Sequence, residues 1–212
     1  MSSVHAEPMA AEHEQEHEGG GRSINWWGMM FFIASEALIF ANLIAAYLYL
    51  EIRDNGGSMA FNLPGGGHLD WVYALGNTVI LLCSSIPVRL AGAGIAKGNR
   101  RQLLLGLIFT IILGAIFLSG QIYEYTNLFA QNFTPTYQTF GSAFFTLTGF
   151  HGLHVSIGLL FLLIILIRSL RGDFTAKSHF GVQAAEMYWH FVDVVWVIVF
   201  STVYLLPLLF HS

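Results

Sequence analysis

The chain has 212 residues, of which 55% are hydrophobic and only 10% are charged, and its formal net charge is −4. Soluble domains carry about a quarter charged residues. This composition excludes an ordinary soluble domain and predicts an all-α, polytopic membrane protein.

The amino-terminal segment, residues 1–22, differs in composition from the rest of the chain. Its first 21 residues contain five Glu, three His and no Lys or Arg. A cleavable signal peptide begins with positive charge, so this segment is not read as one. Acidic segments poor in hydrophobic residues rarely form a packed core. We therefore expect residues 1–22 to be a disordered cytoplasmic tail and residues 23–212 to form the membrane domain.

Five apolar segments follow, each long enough to cross a bilayer, which takes about 20 residues. They cover residues 24–50, 71–96, 103–128, 140–167 and 182–209. Polar or glycine-rich connections separate them, and such residues favour turns. The pattern predicts a five-transmembrane-helix bundle. The single cysteine, Cys83, excludes an internal disulfide and is expected to be a small buried hydrophobe.

The basic residues indicate how the bundle is oriented. Eight of the nine Lys and Arg residues fall on the side of the amino terminus, and only Arg53 falls on the other side. Lys and Arg are retained in cytoplasmic loops. We therefore expect a cytoplasmic amino terminus and an external carboxyl terminus.

Five ionisable residues are predicted near the middle of the bilayer: Glu36, His151, His154, His190 and Asp193. This depth follows from a helical rise of about 1.5 Å per residue. An ionisable group at the centre of a membrane helix costs about 2.5–3.5 kcal/mol on insertion scales, so each needs a partner or water. We hypothesise a hydrogen-bonded network of His and carboxylate groups between the helices.

Two further acids lie nearer the membrane surfaces. Glu186 shares one stripe of the fifth span with His190 and Asp193, and either joins them or extends to the cytoplasmic interface. Glu124 ends the third span near the outer face. Glu36 has no basic residue in its own span, which favours a protonatable carboxyl group.

These residues leave several functions open. His190 and Asp193 fit a structural pair as well as a proton relay. Hydrogen bonding between helices is favoured over metal or haem ligation for His151 and His154. An independent proton-coupled carrier and a bis-His haem protein, using His151 or His154 with His190, are the competing classes. No set of redox ligands, phosphate-binding loop or nucleophile–base pair stands out in the sequence.

Several motifs, in order along the membrane domain, resemble one family: subunit III of the haem-copper terminal oxidases, in its five-helix bacterial form. The matching stretches are Gly28-Met29 with Phe32-Ile33-Ala34-Ser35-Glu36, Gly120-Gln121 with Glu124-Tyr125, Leu147-Thr148-Gly149-Phe150-His151-Gly152-Leu153-His154-Val155, and His179-Phe180-Gly181 before Tyr188-Trp189-His190-Phe191-Val192-Asp193-Val194-Val195-Trp196. The amino-terminal tail has no specific motif match.

The resemblance implies a non-redox subunit of a proton-translocating oxidase that reduces oxygen to water. It implies that the chain binds no haem, copper or other metal, that haem and copper lie in partner subunits, and that phospholipid occupies a cleft between helices. Subunit I would be the main partner, with subunit II, small subunits and membrane lipids around it, and no nucleic acid. The location would be the bacterial inner membrane. Cytochrome c is the expected electron donor, with a quinol oxidase as the alternative.

The resemblance also implies roles for particular residues. Glu36 corresponds to the family's membrane carboxylate. The family also has counterparts of the His151 and His154 pair, of the His190 and Asp193 pair, and of Glu124. The chain departs from the pattern after His179-Phe180-Gly181, where the family often has an acid and this chain has Gln183. Whether Glu186 replaces that acid is left open by the sequence.

Overall fold

The computed structural model describes residues 23–54 and 69–207. The amino-terminal tail expected at residues 1–22 lies outside these ranges, and so do the last two residues of the fifth predicted span.

Five long helices make up the described structure, and no strand occurs in it. They are α1 (Ile24–Asp54), α2 (Trp71–Ala96), α3 (Arg100–Ala130), α4 (Gln138–Arg171) and α5 (Phe180–Phe200), and a π-helical turn, Ser201–Leu205, continues α5. All five are long and apolar enough to cross a membrane. The predicted all-α, five-span architecture is confirmed. Four of the helices extend beyond the predicted apolar segments, because their polar first and last turns are helical too.

Side-chain and backbone caps set several helix ends. The Asp70 carboxylate accepts the Tyr73 amide at 3.0 Å and begins α2, and Asn99 caps α3 in the same way through Gln102 at 3.1 Å. These caps satisfy amides that have no partner within the helix. Gly172 ends α4 with a φ of 88°, a left-handed conformation that favours glycine.

The helices are unevenly buried. α2 packs along α3, α4 packs between α3 and α5, and α1 lies at the edge with its main contacts to α4 and α5. Only 6% of the most apolar window of α1 is buried within the chain, against 56% for α5. α5 therefore lies in the core of the bundle and α1 at its edge.

Two tryptophans of α5 form the centre of the core. Trp189 and Trp196 are 0% and 2% exposed. Their indole nitrogens donate to Ser84 Oγ at 2.8 Å and to Thr78 Oγ1 at 2.9 Å, both on α2. Each large ring thus fills space and also satisfies its polar atom across a helix interface. Cys83, next to Ser84, is exposed on the outer surface of α2, so its predicted burial was wrong.

The π-helical turn at residues 201–205 precedes Pro207. A proline lacks the amide donor, and its ring crowds the carbonyl four residues earlier, here that of Val203. The widened turn relieves this crowding. It also holds Tyr204, whose hydroxyl is part of the site described below.

Candidate functional site

The first polar group in the membrane layer joins α1 to α4. Nε2 of His154 lies 3.0 Å from Oε2 of Glu36, and the two side chains are 7% and 20% exposed. Glu36 has no basic residue in its own span, and the structure places its partner, His154, on another helix. This polar contact links α1, the helix at the edge of the bundle, to α4.

The hydrogen bonds of His154 define where a proton lies in this pair. Nδ1 of His154 is 2.9 Å from the carbonyl oxygen of Phe150, which can only accept, so Nδ1 carries a hydrogen. The bond between Nε2 and Glu36 then contains one more proton, held by either the imidazole or the carboxyl group. In both cases the pair as a whole is neutral. A neutral pair that holds one transferable proton suits a site inside a membrane.

His151 lies one turn away but is not part of this pair. Its side chain is fully buried, and its ring centroid lies 4.6 Å from that of Trp196 and 6.0 Å from that of Phe117. Neither ring nitrogen has a hydrogen-bond partner within the described residues. Hydrogen bonding between helices therefore holds for His154 and not for His151.

The second polar group joins α5 to α2. Ser85 Oγ donates to Oδ2 of Asp193 and lies 3.3 Å from Nδ1 of His190. A hydroxyl that donates its only hydrogen to Asp193 can accept from His190, which places a hydrogen on Nδ1. Asp193 is 4% exposed, and its Oδ1 has no hydrogen-bond partner among the residues described.

Glu186 lies one turn before His190, at the edge of this second group. Its Oε1 is 3.8 Å from Nε2 of His190, which is too long for a hydrogen bond. The carboxyl group packs against Gly92 of α2, where an added Cβ would collide with Oε2. Gly92 thus leaves room for the carboxyl group between α2 and α5.

Glu124 forms a third group, which joins α3 to the end of α5. It is 8% exposed, and Oε1 accepts a hydrogen bond from the Tyr204 hydroxyl at 2.8 Å. A groove of about 420 Å³ opens beside it, lined by Asp70, Tyr73 and Asn127 among others. The acid expected near the outer face is therefore held inside the bundle by a tyrosine 80 residues further along the chain.

We expect Tyr204→Phe to destabilise the chain by about 1–3 kcal/mol, because it removes the donor to a buried carboxyl group. The effect would be measured as the free energy of unfolding in mixed detergent micelles. Thr202→Val is the matched control, since the Thr202 hydroxyl bonds only to its own helix at Ile198. A Tyr204→Phe protein as stable as the control would contradict the structural importance of this bond.

The predicted site residues are thus distributed over separate groups rather than one network. Glu36 pairs with His154, whereas His190, Asp193 and Glu186 gather on the other side of α5 beside α2. Sequence reasoning missed Ser85 and Tyr204. Two adjacent serines in the apolar run of α2 were the one available signal, although a helical serine usually bonds to its own backbone. Within residues 23–54 and 69–207, no group of three or more His, Cys, Asp or Glu side chains could hold a metal ion.

Fold and site together define an integral, multi-pass membrane protein whose ionisable side chains lie largely between helices. The family model of cytochrome c oxidase subunit III matches residues 8–207, a range that begins within the amino-terminal segment. The chain belongs to this family and is a subunit of a haem-copper oxidase complex.

Individual relatives agree with the family match over almost the whole chain. Cytochrome c oxidase subunit 3 of Thermostichus vulcanus is 38% identical over 93% of this chain and 93% of its own length. The cytochrome bo(3) ubiquinol oxidase subunit 3 of Pseudomonas aeruginosa is 35% identical over 95% of this chain and 93% of its own length. The cytochrome c oxidase subunit 3 of Synechocystis is 40% identical over 88% and 78%. Relatives of both oxidase types therefore span the chain.

Proposed function

We propose that this chain is a non-redox subunit III that stabilises the catalytic subunit I and supports proton uptake by the complex. The single observation that carries the proposal is the neutral Glu36–His154 pair, which holds one transferable proton within the membrane layer. Its position on α1, at the edge of the bundle, leaves the Glu36 side chain one-fifth exposed. Haem and copper belong to partner subunits in this proposal.

The surroundings of the His residues favour this function over the competing classes. Both ring nitrogens of His154 have partners within this chain, Glu36 and the Phe150 carbonyl, so neither is free to bind a haem iron. Among the described residues, Glu36 and His154 lie apart from His190 and Asp193, and this separation favours a structural role over a transport path.

The orientation and surroundings of the chain are part of the proposal. The excess of Lys and Arg on one side supports a cytoplasmic amino terminus and an external carboxyl terminus. Similarity to bacterial relatives such as that of Pseudomonas aeruginosa favours the bacterial inner membrane. Subunit I is the main partner, with subunit II and small subunits beyond it. An apolar groove of about 450 Å³ between α1 and α5 has the chemistry to hold a phospholipid chain or an apolar side-chain surface.

Cytochrome c is the proposed electron donor. This choice rests on the sequence motifs and on the names of the cytochrome c oxidase relatives, whereas the similarity to a ubiquinol oxidase subunit favours a quinol. Oxygen consumption by the purified complex, supplied with reduced cytochrome c or with ubiquinol, separates the two donors.

The test of the main proposal is Glu36→Gln in the assembled oxidase. Gln preserves a hydrogen bond to His154 but cannot carry the carboxyl proton, so we expect normal assembly and a several-fold shorter lifetime of turnover. Asn42→Leu is the control, a polar residue of α1 that bonds only to its own helix at Leu38. Unchanged initial rate and turnover lifetime in Glu36→Gln would overturn the proton-related role, and failed assembly would make the role structural.

A further inference from the structure

One face of α5 combines exposed apolar side chains with two partly exposed ionisable ones. We define the α5 face by Glu186, His190, Val194 and Val197, which follow one another at helical spacing between α1 and α2. Val194 and Val197 are 60% and 41% exposed, and the side chains of His190 and Glu186 are 38% and 23% exposed.

The depth of these groups decides what can cover them. Glu186 and His190 lie six and ten residues from the start of α5, about 9 and 15 Å along the helix. Hydrocarbon chains offer them no hydrogen bonds, and exposure of such groups to lipid is strongly unfavourable. The outer faces of α3 and α4 are mostly apolar, for example at Ile112 and Ile157. The exposed serines of these faces donate to carbonyl groups of their own helices.

The polar atoms of Glu186 and His190 indicate what kind of partner group is missing. Nδ1 of His190 faces Ser85, which leaves Nε2 without a hydrogen-bond partner among the described residues. Glu186 makes no hydrogen bond to any described residue, and its Oε1 lies 3.8 Å from Nε2 of His190. A hydrogen-bond donor from outside this chain would satisfy the carboxyl oxygens of Glu186.

The shape of the face suits a helix. The apolar groove between α1 and α5 runs along it; alanines of α1 such as Ala37 and Ala41 line it together with larger side chains, among them Phe191 and Val194. Small residues allow a second helix to approach closely, and polar side chains then bond across the contact. On the α2 side of the face, Gly92 leaves room for the Glu186 carboxyl group.

We propose that the α5 face is the surface on which this chain docks onto a transmembrane helix of a partner oxidase subunit. That helix places a hydrogen-bond donor side chain opposite Glu186 and His190, and its apolar side chains enter the groove between α1 and α5. This inference rests on the proposed function, since it names the surface through which that function reaches the partner.

The test is site-specific photo-crosslinking in the intact oxidase, with benzoylphenylalanine at Val194 or Val197 and, as matched controls, at Ile112 or Ile157. We expect covalent adducts with another subunit from the α5 positions and none from the controls. Adducts from the controls alone, or a complex that co-purifies without adducts from Val194 or Val197, would overturn the docking face while the proposed function stands. Failure of any other oxidase subunit to co-purify would overturn the proposed function itself.

A second measurement checks the polar half of the face. Hydrogen bonds between membrane helices contribute about 0.6–1.7 kcal/mol, so Glu186→Leu should weaken retention of the partner subunit about 3- to 18-fold. Glu186→Gln, which can still bond, should retain it. Ser119→Leu, at an exposed serine of α3 bonded to its own backbone, is the control. Equal retention by Glu186→Leu and Ser119→Leu would contradict the donor-to-acceptor contact.

Discussion

His154→Leu is expected to destabilise the chain by about 1–3 kcal/mol, because it leaves the Glu36 carboxyl group without its hydrogen-bond partner inside the membrane. Removing only one member of such a pair is costly, since the remaining polar group loses its hydrogen bond and stays in apolar surroundings. The effect should be concentrated at α1, whose main contacts are with α4 and α5. Equilibrium unfolding in mixed detergent micelles measures it, and proteolysis of the folded protein reports the release of α1.

The double variant Glu36→Leu/His154→Leu separates a lost partner from lost packing. Replacing both members of a buried pair by apolar residues is often neutral, so we expect most of the stability to return. Ser156→Leu, two residues along α4, is the control, because its hydroxyl bonds only to Gly152 of its own helix and it is exposed. A double variant no more stable than His154→Leu would show that the imidazole contributes through packing against Phe40 and Phe150 instead.

Trp189→Ala is expected to cost about 3–5 kcal/mol, since it empties the most buried large side chain where α2, α3, α4 and α5 meet. Trp189→Phe keeps much of the volume and loses the bond to Ser84, so a cost of about 1–3 kcal/mol is expected. Unfolding free energies of the two variants, measured under one set of conditions, give the order Ala, Phe, unmodified chain from least to most stable.

Trp189 also packs closely against Gly114 of α3, and this contact allows a second test. A Cβ added at Gly114 would lie 2.6 Å from Cη2 of Trp189 and 2.8 Å from Leu159, so Gly114→Ala should destabilise the unmodified chain. In the Trp189→Ala background the same substitution enters vacated space and should cost much less. Additive effects of the two substitutions would contradict the contact, since residues that touch are expected to couple by about 0.5–3 kcal/mol.

The course of the helices could be predicted from the sequence, because a bilayer imposes one dominant rule. Each segment must satisfy its own backbone hydrogen bonds, so about 20 apolar residues in a row become a helix. The predicted ends fell short, as at Arg100 and Arg171, because a helix continues through polar residues at the membrane surface. Hydrophobicity marks the hydrocarbon boundary, whereas caps such as Asn99 and Gly172 mark the helix boundary.

The burial of single residues was less predictable. Cys83 lies in an apolar run and is nevertheless exposed, since in a membrane protein the surface is as apolar as the interior. The helical spacing that separates inside from outside in a soluble protein therefore carries little information here. Polar residues are an equally mixed guide. Ser84 and Thr110 lie between helices, whereas Ser119 and Ser156 are exposed and bond to their own helices.

By itself, the sequence determined that this chain crosses the membrane five times, and it predicted which ionisable residues have to find partners there. Only the tertiary structure identified those partner residues. His151 and His154 are three residues apart and so point about 60° away from each other around α4, enough for one to meet Glu36 and the other Trp196. Partners such as Glu124 and Tyr204 are 80 residues apart in the chain. Such pairings follow from how helices cross, and hydrophobic patterns along one chain contain no record of that geometry.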